Sequence, residues 1–172
     1  MKSDGLIRER AFTLTELIVV VGIIGILLSL LLPSAAKILP RAGEIVCMSH
    51  LHQLWISFSP CATDPDGWPQ LPQGVKIGSI EEQQFWLDYS SNSLGVPAKI
   101  WHCPTIDRSV RSTTKAQAPL IHYLPTLFDA RPGTPNKWTS MPWFTEIGNV
   151  HGQGNLSVTA GGSVQPLVPL HP

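Results

Sequence analysis

Residues 10–33 read RAFTLTELIVVVGIIGILLSLLLP. A basic residue gives way at once to an apolar run whose one charge is Glu16, and from Leu17 to Leu32 only Gly22, Gly25 and Ser29 interrupt the aliphatic side chains. Counted from Phe12 to Leu32, a helix would reach about 31 Å at about 1.5 Å per residue, the thickness of a bilayer's hydrocarbon core. The run is apolar on every side, and no segment of similar hydrophobicity occurs elsewhere to enclose it as a core helix. It is also longer than the apolar region of a cleaved secretory signal, and Pro33-Ser34-Ala35-Ala36 leads straight into amphipathic sequence. The segment therefore reads as one membrane-spanning helix. A carboxylate inside such a helix is costly and marks a functional position that needs a partner.

Outward from this segment the composition narrows the function classes. Twelve Lys plus Arg balance twelve Asp plus Glu, so no global field points to nucleic acid, and only 14% of the 172 residues are charged. The sixteen Pro all lie beyond residue 32, which excludes a long helical bundle and predicts a loop-rich part with short strands. After Pro33 the pattern becomes amphipathic, with Ile38, Ala42, Ile45, Met48, Leu51, Trp55 and Phe58 forming one helical stripe that Pro60 ends. Pro40 is expected to bend or interrupt that helix beside Lys37 and Arg41, which suit a membrane surface. Phe85-Trp86-Leu87-Asp88-Tyr89 reads as a set of core anchors, and Ser90-Ser91-Asn92-Ser93 and residues 131–136 read as surface loops.

Three cysteines, Cys47, Cys61 and Cys103, permit at most one intrachain disulfide, with Cys47–Cys103 and Cys61–Cys103 the long-range choices. Zinc is not expected: Cys47 and His50 share a helix face, but His52 points elsewhere, and His102 with Cys103 completes no tight quartet. Calcium at Asp64 and Asp66 is not expected either, because the twelfth position of such a loop is Val75. No metal and no cofactor is assigned. Near the C-terminus two alternating runs, Asn155–Ala160 and Ser163–Gln165, flank Gly161-Gly162, which reads as a hairpin with a two-residue turn suited to positive φ.

The junction Arg10-Ala11-Phe12-Thr13-Leu14-Thr15-Glu16 resembles the prepilin signal of type IV pilin-like proteins, a family that includes the pseudopilins of type II secretion. The resemblance implies cleavage between Ala11 and Phe12 by a prepilin peptidase, which also N-methylates Phe12; Ala11 stands where the family has Gly. It implies that Glu16, the fifth residue of the mature chain, meets the amino terminus of Phe12 on a neighbouring subunit. Gly25 and Pro33 fall at familiar helix-weakening positions. Cys47-Met48-Ser49-His50-Leu51, Asp66-Gly67 and Cys103-Pro104 are similar to a pilin-like branch whose first and last Cys pair, which favours Cys47–Cys103. His151 followed after nine residues by Gly161-Gly162 resembles the family's C-terminal His-x9-Asp-Gly signature with the Asp lost.

The implied fold is α+β and pilin-like: a leader (1–11), a transmembrane helix (12–32), its amphipathic continuation (33–59) packed on a small antiparallel sheet, and an exported loop-rich β domain (60–172). The implied role is structural, a pseudopilin or minor pilin in an inner-membrane-anchored fibre, with the peptidase, membrane lipid and other pilin-like subunits as partners. No nucleophile motif or phosphate loop points to an enzyme. The alternative is a membrane-anchored exported binding module that does not polymerise.

Overall fold

The computed structural model describes residues 13–112 and 119–167; the side chains of residues 31–40, 111 and 112 lie outside that description. The chain divides into two compact units, Met1–Leu39 and Pro40–Pro172.

One helix, α1 (Leu14–Phe58), belongs to both units, and its 45 residues are helical through Pro33 and Pro40. In the first unit every residue from Thr13 to Leu30 is exposed. Leu17, Ile18 and Val19 each leave more than half their surface open, and Ile26 and Leu30 about two thirds. The described side chains end at Leu30, so Phe12, Leu31 and Leu32 of the expected span fall outside them. Among the described residues no helix is long and apolar enough to cross a membrane.

The second unit is built around the end of α1. Its core-facing residues are Cys47, Leu51, Leu54 and Phe58, all fully buried, with Met48 and Trp55 packed beside them. Leu54 replaces the upper part of the expected stripe, because the core begins only at Cys47 and leaves Ala42 and Ile45 exposed. A short 3-10 turn at Pro60–Ala62 ends the helix.

The aromatic islands belong to a regular helix, α2 (Ile80–Ser93). Ser79 caps it by accepting the Glu82 N–H at 3.2 Å, and the Glu82 carboxylate reaches back to the Gly78 N–H. Ser90–Ser93 is thus the last turn of α2 rather than a surface loop. Ser90 is fully buried and accepts the Trp101 indole N–H at 2.9 Å. The expected loop at residues 131–136 likewise contains a helical turn, α4 (Thr134–Lys137), with Thr134 and Pro135 buried. Between α2 and α4 lie a 3-10 turn at Ala98–Trp101 and α3 (Pro104–Ser112).

Four strands, β1 (Tyr123–Pro125), β2 (Pro142–Glu146), β3 (Asn155–Thr159) and β4 (Val164–Leu167), form an antiparallel meander in chain order. The register pairs Tyr123 with Glu146, Phe144 with Val158, and Leu156 with Pro166. A shift between Pro142 and Phe144 breaks the alternation of β2, so Trp143 and Phe144 are both buried. These two rings carry the contact with α1: Phe144 lies 5.1 Å from Phe58, and Trp143 lies 6.2 Å from Trp55. The unit is α+β, with the end of a long helix on a small antiparallel sheet, but α2 and α3 make it less purely β than expected.

Candidate functional site

At the start of α1 the sequence Thr13-Leu14-Thr15-Glu16 forms a capping box. Glu16 Oε2 accepts the Thr13 N–H at 2.9 Å and the Thr13 hydroxyl at 2.7 Å, while Thr13 Oγ1 accepts the Glu16 N–H at 3.2 Å. The first turn of a helix leaves its N–H groups without partners, and Ser or Thr followed three residues later by Glu satisfies two of them. Ala11 and Phe12 lie outside the described residues, as does the Pro33 side chain. Gly25 is helical and exposed, and a methyl group added at Gly22 or Gly25 would meet nothing within 4 Å. The chain's own packing does not demand glycine there.

In the second unit Cys47 and Cys103 are joined by a disulfide with their Cα atoms 5.2 Å apart, and Cys61 is free and buried. The bridge ties α1 to the residue before α3. Closing a loop of 56 residues' separation stabilises the fold by roughly 4 kcal/mol on the chain-entropy account. Beside it lie Glu146, which no local pattern in the sequence marks, and His151, which the sequence marks only as the start of a His-x9-Asp-Gly-like signature. Glu146 stands on the core face of β2, with its carboxylate wholly buried, and His151 follows in the β2–β3 connection with its ring 2% exposed. His151 Nε2 is 3.3 Å from Glu146 Oε1 and 3.7 Å from Cys103 Sγ. Burial pushes the Glu146 carboxyl up from the usual range, and the His151 ring pulls it back. Among the described residues, Glu146 Oε2 and the opposed Tyr123 hydroxyl have no hydrogen-bond partner.

A second group lies around the 3-10 turn and α3. Val46, His50, Ala98, Lys99, His102, Pro104 and Asp107 line an open cleft of about 390 Å³. His50 Nδ1 bonds the His102 carbonyl at 2.9 Å, so it serves as a tether between α1 and this segment. His102 Nδ1 and His122 Nε2 lie 3.5 and 3.9 Å from Asp107 Oδ1. His122 is buried, and its Nδ1 accepts the Cys103 N–H at 2.9 Å.

Burial first, and then the neighbouring His102, hold the His122 pKa below its ordinary 6.5. The folded state therefore binds fewer protons than the unfolded one below that value, and stability is lost as pH falls from 6.5 toward the folded pKa. Protonating Nδ1 also forfeits the Cys103 bond. His122→Gln, whose side-chain oxygen can accept the same N–H, is expected to flatten this acid limb, measured as the difference in unfolding free energy between pH 7 and pH 5 in wild type and variant.

The C-terminal hairpin joins β3 to β4, but its turn is longer than the two residues expected. Thr159 and Ser163 close a loop in which the Gly162 N–H bonds the Thr159 carbonyl at 2.9 Å, and of Gly161 and Gly162 only Gly162 has positive φ, +75°. A turn followed by one left-handed residue suits the twist of the strands as well as a two-residue loop does. The turn docks on α1: His52 Nδ1 bonds the Gly162 carbonyl at 3.0 Å and the Trp55 indole N–H donates to the Ala160 carbonyl at 3.1 Å. A Cβ on Gly162 would lie 2.9 Å from the Trp55 ring. Gly162→Ala combines that collision with a left-handed backbone and is expected to cost about 2 kcal/mol or more, read from chemical denaturation.

Asp64 Oδ1 accepts the Asp66 N–H at 2.9 Å, closing the expected turn before the buried Trp68. At Gly67, φ is +72° and a Cβ would overlap the Ala130 carbonyl, so only glycine fits.

Residues 6–32 match the family described as the prokaryotic N-terminal methylation motif, the prepilin-type cleavage and methylation signal of type IV pilin-like proteins. No curated protein and no solved structure matches the chain. The match covers the N-terminal segment alone, and a signal of this kind is the one that a prepilin peptidase processes in membrane-anchored, exported pilin-like proteins.

Proposed function

We propose that the chain is a structural subunit, a pseudopilin or minor pilin, of a type II secretion pseudopilus or a type IV pilus-like fibre. The leader is cut between Ala11 and Phe12, Phe12 is N-methylated, and the helix from Phe12 to Leu32 holds the subunit in the inner membrane as a single span until assembly. The observation that carries this reading is a coincidence of position. The methylation motif, residues 6–32, covers the start of α1, where every residue from Thr13 to Leu30 is exposed and most are apolar, and Glu16 lies in the first turn of that helix. A surface of this kind calls for lipid or for other helices.

Glu16 then has two partners in succession. Before assembly its carboxylate caps its own helix through Thr13; in the fibre it meets the methylated ammonium of Phe12 on the next subunit. Gly25 and Pro33 weaken the helix so that it can adapt to the fibre, and the open space at Gly22 and Gly25 leaves room for close approach of a neighbouring helix.

Mass spectrometry of the chain isolated from native membranes tests the reading. The expected N-terminus is methylated Phe12. A chain that retains Met1, or one that starts after Ala36, overturns it.

A further inference from the structure

The residues around the disulfide form a set that neither the N-terminal signal nor fibre assembly uses. One ligand atom from each of Cys47, Cys103, Glu146 and His151 lies within 4.8 Å of all the others. They come from α1, the start of α3, β2 and the β2–β3 connection, so the fold rather than local sequence gathers them. A tetrahedral zinc ion with bonds of about 2.3 Å to sulfur and about 2.0–2.1 Å to nitrogen or oxygen has sulfur–nitrogen edges of about 3.5 Å and nitrogen–oxygen edges of about 3.3 Å. The observed Cys103–His151 and His151–Glu146 separations are 3.7 and 3.3 Å. Glu146 adds an independent sign: a carboxylate with no exposed surface, on the core face of a sheet, whose Oε2 has no hydrogen-bond partner among the described residues.

We infer that, when the Cys47–Cys103 bond is reduced, Cys47, Cys103, Glu146 and His151 form a tetrahedral binding site for a thiophilic divalent cation, zinc above all. A dithiol reductant gives two electrons and two protons to the disulfide, yielding two cysteine thiols and its own disulfide. Zinc then displaces both thiol protons to solvent and binds two thiolates, the neutral imidazole Nε2 and one carboxylate oxygen. In the oxidised chain the two sulfurs are bonded to each other and carry no charge, so the site takes no metal there.

The neighbouring trio His102, Asp107 and His122 does not compete. His122 Nδ1 accepts the Cys103 N–H, so the neutral ring carries its proton on Nε2, the atom that faces Asp107. That nitrogen has no lone pair for a metal while the backbone bond stands.

The test uses the full chain in detergent micelles under anaerobic conditions, with a phosphine reductant and Co2+ as the spectroscopic probe. The reduced chain is expected to take up one cobalt, with thiolate-to-cobalt charge-transfer absorption and the strong visible bands of a tetrahedral site, and zinc is expected to displace it. The oxidised chain is expected to take up none. His151→Ala and Glu146→Gln should each weaken binding by about tenfold or more, while Cys61→Ser leaves it unchanged. Absence of the charge-transfer band, equal uptake by the oxidised chain, or binding indifferent to both substitutions overturns the inference. Should either variant fail to fold, X-ray absorption of zinc on the reduced wild-type chain decides: two sulfur and two nitrogen or oxygen neighbours are expected, and any other set refutes the site. None of these outcomes depends on whether the chain polymerises.

Discussion

Glu16→Ala is expected to leave leader cleavage intact and to reduce incorporation into sheared fibres by at least roughly tenfold, because the ammonium of the neighbouring Phe12 would be left without its counter-charge in a poorly solvated groove. Cleavage is expected to survive because the proposed cut, between Ala11 and Phe12, lies on the leader side of the carboxylate. The capping box complicates the alanine variant, since it also strips the helix start of its Thr13 partner. Glu16→Gln separates the two effects. Glutamine serves the third position of a capping box as glutamate does, but brings no charge. Failure of both variants with normal N-terminal processing supports the intersubunit pair. Assembly of Glu16→Gln at the wild-type level would show that the carboxylate acts only as a cap.

Phe58→Ala carries the largest expected stability loss. The ring is fully buried at the end of α1 and lies within 5.1–6.2 Å of Trp68, Trp86, Tyr89, Trp101 and Phe144. It therefore joins the helix, α2, the 3-10 turn and the sheet in one aromatic cluster. Truncating a buried Phe to Ala costs about 3–5 kcal/mol, against a typical total stability of about 5–15 kcal/mol. Guanidinium unfolding followed by tryptophan fluorescence should show a much lower midpoint, and Phe58→Leu should recover most of it. A shift within experimental error would mean that the cluster does not hold α1 to the domain.

The N-terminal junction was legible because its information is local: a small residue, an aromatic residue and a Glu within a few positions, then a long apolar run; the capping role of Thr13 emerged only from the structure. The turn at Asp64–Gly67 and the hairpin at Gly161-Gly162 were legible for the same reason. The amphipathic stripe was read in the wrong register at its upper end, since periodicity shows that a face exists but not where the domain begins to cover it; Ile45 fits the pattern and is 65% exposed. The helix α2 carried a readable start in Ser79-Ile80-Glu81-Glu82, yet its serine-rich last turn resembled a loop. Only the burial of Ser90 under Trp101 explains that serine. Glu146 left no local trace, and His151 stood out only for its spacing to Gly161-Gly162, which says nothing of its place beside Glu146. An acidic residue in a short strand reads as a solvent-facing position, and the irregularity at Pro142–Phe144 that sets which β2 residues face the core is invisible without the partner strand.

The disulfide has a mechanical consequence as well. Cys47 lies on α1 below its exposed apolar portion, and residues 48–102 hang between the two joined cysteines as a closed bight. Tension applied along α1 and taken up beyond Cys103 crosses the sulfur bridge and bypasses that bight. About 190 Å of chain, at about 3.4 Å per residue, is thereby withheld from extension. A chain loaded along α1 yields through the helix before Cys47 and the segment that follows Cys103, while Phe58 and its aromatic neighbours on α2 sit inside a loop that no pull on the ends can straighten.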